Sequence, residues 1–169
     1  MIIAGYLFLC IGTVVAQATL SAMLSINEIY PDLCLVLVCI IGFFTNEYKG
    51  LMIGLTMGLF QDLLAPGGIG LNMILKGLAG TLAGLTTHTI STVTLSAVVL
   101  ITLALSLGCG LASLIVAYPD LIGPEAFHAI VGTLVPQSLY HSVLAAGIFL
   151  GTHKARKAFG MVHSGQGIR

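Results

Sequence analysis

GLMIGLTMGLFQDLLAPGGIGLNMILKGLAGTLAGLTTH, residues 50–88, carries two matched stripes on either side of one turn. Outward from Ile69, Gly50, Gly54, Gly58 and Asp62 lie on one side and His88, Gly84, Gly80 and Lys76 on the other, each pair equally far from the centre. Spacing by four places each stripe on one face of a helix. Two helices folded back across Pro66-Gly67-Gly68-Ile69-Gly70 would hold the members of each pair at the same depth. The stretch predicts an antiparallel helical hairpin in which glycine meets glycine and Asp62 meets Lys76.

The rest of the chain fixes the solvent around that hairpin. Apolar residues make up 57% of the 169 and charged residues 7%, with a mean hydropathy of +1.09, against about 25% charged in an ordinary globular domain. An integral membrane protein is the consequence, and a formal net charge of zero gives no reason to expect a nucleic-acid partner. Cys10, Cys34, Cys39 and Cys109 lie inside apolar runs without ligand-spaced histidines or carboxylates, so they read as small core hydrophobes.

Taking about 20 apolar residues per crossing, six spans are expected: Ile2 to Leu24, Leu33 to Thr45, Leu51 to Ala65, Leu71 to Thr87, Leu95 to Tyr118 and Phe127 to Gly151. The second and third are short and should borrow flanking residues or thin the bilayer locally. Ala16-Gln17-Ala18 has the form of a signal-peptidase site, but no Lys or Arg precedes the apolar run and the run continues past it, which favours a retained helix. The expected organisation is an all-α bundle over residues 1–151 with a short basic tail over 152–169.

Lysine and arginine collect on cytoplasmic loops. With six spans, Lys49, Lys154, Arg156, Lys157 and Arg169 all fall on the side of the termini, so both termini are expected in the cytoplasm. Glu28, Asp32, Asp120 and Glu125 then lie outside, as does the hairpin turn. The glycine ridges should cross at roughly −40 to −50°, with closest contact near Gly58 and Gly80. Asp62 stands four residues before Pro66, about 6 Å of helical rise. That leaves three readings open: a buried Asp62–Lys76 pair, two side chains reaching the interface separately, or a ligand or proton pathway.

Other polar residues are sparser. Tyr-Pro-Asp-Leu occurs at residues 30–33 and 118–121, each time as an interfacial Tyr, a chain-restricting Pro and an Asp placed to cap a helix. In the last span Pro136 should kink the helix and free a carbonyl for Gln137 or a neighbouring helix; with His141 these residues are structural or form a binding site. His128 and His153 fall at interfaces. The Lys154 to Lys157 patch suits anionic headgroups or a cytoplasmic partner. Ser/His/Asp, H-E-x-x-H and G-x-x-x-x-G-K-[ST] signatures are absent from the sequence.

Pro31-Asp32-Leu33 at the start of the second span, then a glycine-spaced helix running into Gly58-Leu59-Phe60-Gln61-Asp62-Leu63-Leu64 and the turn Pro66 to Gly70, resembles the MreD family of bacterial rod-shape proteins. The specific part covers about Tyr30 to Gly84. The resemblance implies a non-enzymatic inner-membrane scaffold without cofactor. It would associate with the single-span protein MreC and help link MreB filaments to RodA and a class B penicillin-binding protein in lateral peptidoglycan synthesis. Whether it forms a homo-oligomer is left open. The residues expected to carry packing or partner contact are Pro31, Asp32, Gly54, Gly58, Asp62, Gly67, Gly68, Gly70, Lys76, Gly80 and Gly84. Two departures from the family pattern, no charged segment before the first helix and an uncharged loop from His88 to Thr94, bear on the cytoplasmic contacts. The same bundle is similar to the substrate-binding S components of energy-coupling-factor vitamin transporters. That alternative would need an outward pocket with converging polar or aromatic groups, and the chain has no tryptophan.

Overall fold

In the computed structural model, residues 2–20, 23, 25, 29–64, 70–89, 93–121 and 123–158 are described. They form six helices in the expected order: α1 Ile2–Leu20, α2 Leu33–Phe44, α3 Glu47–Leu64, α4 Leu71–Thr89, α5 Leu95–Ala117, and α6, a continuous rod built of Pro124–Ala129, a π-helical turn Ile130–Leu134 and Val135–Ala158. Two of these, α5 and the rod from Pro124 to Thr152, are long and apolar enough to be candidate membrane spans, and α2 is a shorter apolar helix.

Four of the helix starts have a local cause. The Asp32 carboxylate caps α2 by accepting from the Leu35 amide at 3.0 Å. Asn46 does the same for Lys49 in α3 at 2.9 Å, and Thr94 for Ala97 in α5 at 3.3 Å. Pro124 opens α6 behind Gly123, whose φ of 79° favours glycine. The π turn ends against Pro136. Lacking an N–H, that residue cannot bond the carbonyl four positions back, so the chain widens to an i→i−5 pattern in which the Val135 amide reaches Ile130 O.

The 12-residue α2, about 18 Å long, occupies the middle. Leu35, Val36, Cys39, Ile40 and Phe43 join Ala79, Ala83, Val98, Ala145 and Phe149 in one cluster, while Cys34 and Val38 join Cys10, Val14, Ile53 and Met57 in another. Phe44 stacks on Phe149 with ring centroids 5.7 Å apart. A helix apolar all round is one that neighbours cover all round, and α2 touches α1, α3, α4, α5 and α6.

The α3–α4 hairpin exists and is the most extensive helix pair, but its register differs from the symmetric one. Gly50 faces Gly80 rather than His88, Gly54 faces Lys76 and Gly77, Gly58 faces Asn72 and Met73, and Gly84 faces Asn46 and Glu47. The displacement amounts to about two helical turns. It arises because α4 does not start level with the end of α3: its first turn is drawn back beside Asp62. Contact persists at four successive levels instead of peaking where Gly58 was expected to meet Gly80, so the helices run side by side. Gly42 of α2 also abuts Gly80, making a three-helix junction of glycines.

Candidate functional site

Asp62 and Lys76 do not pair. Both are buried, at 4% and 3% exposure. The Asp62 carboxylate accepts from the backbone amides of Gly70 at 2.9 Å, Asn72 at 3.2 Å and Met73 at 3.0 Å, and from Asn72 Nδ2 at 2.9 Å. It satisfies the orphan N–H groups of α4 from a neighbouring helix, where the helix dipole favours a negative charge. Gly70 has φ 117°, which suits the expected turn glycine; Gly67 and Gly68 lie outside the described residues.

Lys76 is paired with Asp32, Nζ to Oδ2 at 2.8 Å, and also donates to Asn72 Oδ1 at 2.9 Å. An uncompensated charge in this interior would cost several kcal/mol. The symmetric stripe misdirected the assignment because it carried the charges as well as the glycines into one register. The true partner of Lys76 is the N-cap of a helix outside the hairpin.

Asp32 belongs to a non-helical stretch whose backbone is held by side chains. Gln137 Nε2 donates to Tyr30 O at 2.9 Å, Gln17 Nε2 to Pro31 O at 2.8 Å, and the Leu33 amide to Gln17 Oε1 at 2.7 Å. The Asp32 amide donates to His141 Nε2 at 2.7 Å. Irregular backbone in an apolar interior persists only when its polar groups are matched in this way. Gln137 therefore serves the 30–33 segment and not the carbonyl freed by Pro136. Pro31 is fully buried. The second copy of the motif behaves differently: Asp120 is exposed and α6 starts behind Gly123, so only Asp32 caps a helix.

Because His141 Nε2 accepts a hydrogen bond, the ring proton lies on Nδ1, 2.6 Å from Ser106 Oγ. Ser106 donates onward to Ser138 Oγ at 3.1 Å, and Ser138 to Leu134 O at 2.8 Å in the π turn. From the Asp32 amide to Leu134 O, every donor and acceptor agrees with one direction of travel. The result is a continuous polar chain from Asp62 through Asn72, Lys76, Asp32, His141, Ser106 and Ser138, crossing from α3 to α6. Ser106 and His141 resemble part of a hydrolytic triad, yet the imidazole donates to the hydroxyl and its other nitrogen is occupied by an amide. It cannot act as a base toward Ser106 in this arrangement.

A cavity of about 300 Å³ borders this chain. Asp32, Asn72, Lys76, Ser113, Gln137 and His141 supply its polar wall, and Leu35, Leu75, Leu114 and Leu134 its apolar one. Ala117 and Tyr118 also line it, so it lies toward the end of the bundle that carries the 30–32 segment and the α3–α4 turn. Among the described residues no group of His, Cys, Asp and Glu could hold a metal ion. Cys10, Cys34 and Cys39 are buried, and Cys109 lines the cavity with its thiol 3.7 Å from Leu75 O.

Asn72, Gln17, Ser106 and Ser138 do not stand out in the sequence as site residues. The available signal was chemical: amides and hydroxyls interrupting otherwise apolar helices need partners. Gln17, in sequence only the middle of an A-x-A pattern, ties α1 to the start of α2.

A family model described as rod shape-determining protein MreD matches residues 1–151. No curated protein and no solved structure matches the chain.

Proposed function

We propose, because this chain belongs to the MreD family and therefore acts in rod shape determination, that it is a non-enzymatic membrane scaffold of the cell-elongation machinery. In this reading all six helices cross the inner membrane, with Lys49 and the basic tail over 152–169 in the cytoplasm and the cavity open to the outer side. The scaffold joins an MreC-like single-span protein to MreB filaments, RodA and a class B penicillin-binding protein. The cavity is its docking point, since it is a concave site with converging polar groups on rigid elements.

The observation that carries the reading is how the interior charges are used. Lys76, Asp32 and Asp62 are each consumed by partners within the chain, and the Ser106 hydroxyl is a donor rather than a nucleophile. Among the described residues of this cluster, the polar groups are arranged for recognition rather than activated for chemistry. The cavity also supplies the feature that a substrate-binding S component would need, and this supports the second reading.

Tagged purification in mild detergent, with identification of co-purifying proteins, separates the two. Recovery of an MreC-like protein is the expected result. Recovery of ATP-binding cassette subunits with a bound vitamin, or depletion that leaves rod shape intact, would overturn the scaffold.

A further inference from the structure

The geometry points to His141 as a proton-sensitive latch on the Tyr30–Leu33 segment: the neutral ring holds the segment against α6, and a proton taken up at Nε2 releases it. Four side-chain bonds hold the backbone of that segment, beside the Lys76 ion pair to the Asp32 side chain, and three of the four come from the amides of Gln17 and Gln137, which do not titrate. The fourth is the Asp32 amide donating to His141 Nε2 at 2.7 Å. It requires a bare lone pair on that nitrogen. An imidazolium has two N–H donors and no acceptor, so protonation sets one donor against another at the point where the segment is fixed.

The groups around the ring are already committed to one another. From α2 and α4 it meets the Asp32 carboxylate and the Lys76 ammonium, joined at 2.8 Å. From α5 come Ser106 and the Cys109 thiol on the same cavity wall, and from α6 itself Ser138. With the ring neutral, the ion pair leaves the cluster without net charge. A proton on His141 adds a second cation that competes with Lys76 for the single nearby carboxylate. Ring rotation toward Asp32 would both abandon its amide and weaken its hold on Lys76. His141 lines the cavity, and in the orientation proposed above that cavity connects the ring with the outer compartment. Release of the segment moves one wall of the same cavity. The latch goes beyond the scaffold reading and requires no partner.

Hydrogen exchange of the full chain in lipid nanodiscs, read by mass spectrometry at about pH 7.5 and about pH 4.5, the second well below the ordinary histidine range, tests it directly. After correction for intrinsic rates, a peptide spanning Tyr30–Leu33 should exchange about tenfold faster at the lower pH, as expected for loss of one hydrogen bond. In His141→Gln, whose amide oxygen can accept at both values, the difference should vanish. Equal protection of the wild-type segment at both values, or the same loss in His141→Gln, overturns the latch. Should His141→Gln fail to fold, ring nitrogen-15 spectra of the wild-type chain decide. One histidine should carry its proton on Nδ1 at the higher pH and become doubly protonated in step with the exchange. Absence of that tautomer defeats the proposal.

Discussion

Lys76 shows most clearly what a single residue can and cannot reveal. That a lysine in so apolar a chain must find an anion is dictated by solvation alone, but which anion depends on how three helices come together. Asp62 was the nearer candidate in sequence and is instead bound by three backbone amides and Asn72 Nδ2; Asp32 was legible as a helix cap and not as a counter-ion. The assignment predicts an asymmetric double-mutant result. Lys76→Met should destabilise the purified protein by about 3–5 kcal/mol, because it strands the Asp32 charge. Adding Asp32→Asn, which can still cap α2, should restore most of that loss, whereas adding Asp62→Asn should not. Thermal unfolding in one detergent reads all three, and equal rescue by both second substitutions would contradict the pairing.

At the scale of elements, helix order was plain from hydrophobic runs bounded by Pro, Gly and Asp, and all six predicted helices are present. Packing register was not, because the turn between two helices need not divide its residues evenly. Here Asp62 pulls the first turn of α4 back along α3, a tertiary cap that no count from Ile69 could contain. In this register Gly50, Gly54, Gly58, Gly80 and Gly84 stand where the backbones of neighbouring elements come close. A Cβ on Gly50 would enter the Gly80 carbonyl, and one on Gly54 the Lys76 carbonyl, whereas Gly147 of α6 has open space around it. Gly50→Ala and Gly54→Ala should therefore each cost about 1–3 kcal/mol through overpacking against backbone that cannot yield. Gly147→Ala should be neutral or gain roughly 0.5–1 kcal/mol from reduced backbone freedom in the unfolded chain. Melting temperatures of the three variants, compared side by side, check the order. A damaging Gly147→Ala with a silent Gly50→Ala would mean that α3 and α4 do not meet along the glycine face.

Across the whole molecule, stability and recognition draw on different parts. The core around α2 and the glycine contacts of α3 with α4 set the fold, and they meet the cavity at Leu35, Cys109, Asn72 and Lys76. The cavity lies between that rigid half and the α5–α6 side, where many large apolar side chains, among them Leu111, Ile115, Val131, Leu139 and Val143, face outward. Filling it should therefore separate binding from folding. Ser113 is a suitable position: it lines the cavity from α5 and is itself only partly buried, so a larger side chain can project into empty volume without displacing the Asp32–Lys76 pair. Ser113→Phe should leave the melting temperature close to that of the wild type while reducing recovery of an MreC-like partner at least about tenfold, the mark of roughly 1.4 kcal/mol of lost binding free energy. Cells relying on this variant should lose rod shape with normal amounts of the protein in their membranes. Full partner recovery with the cavity filled would show that docking uses another face of the bundle, and the outward apolar surfaces of α5 and α6 would then be the next to substitute.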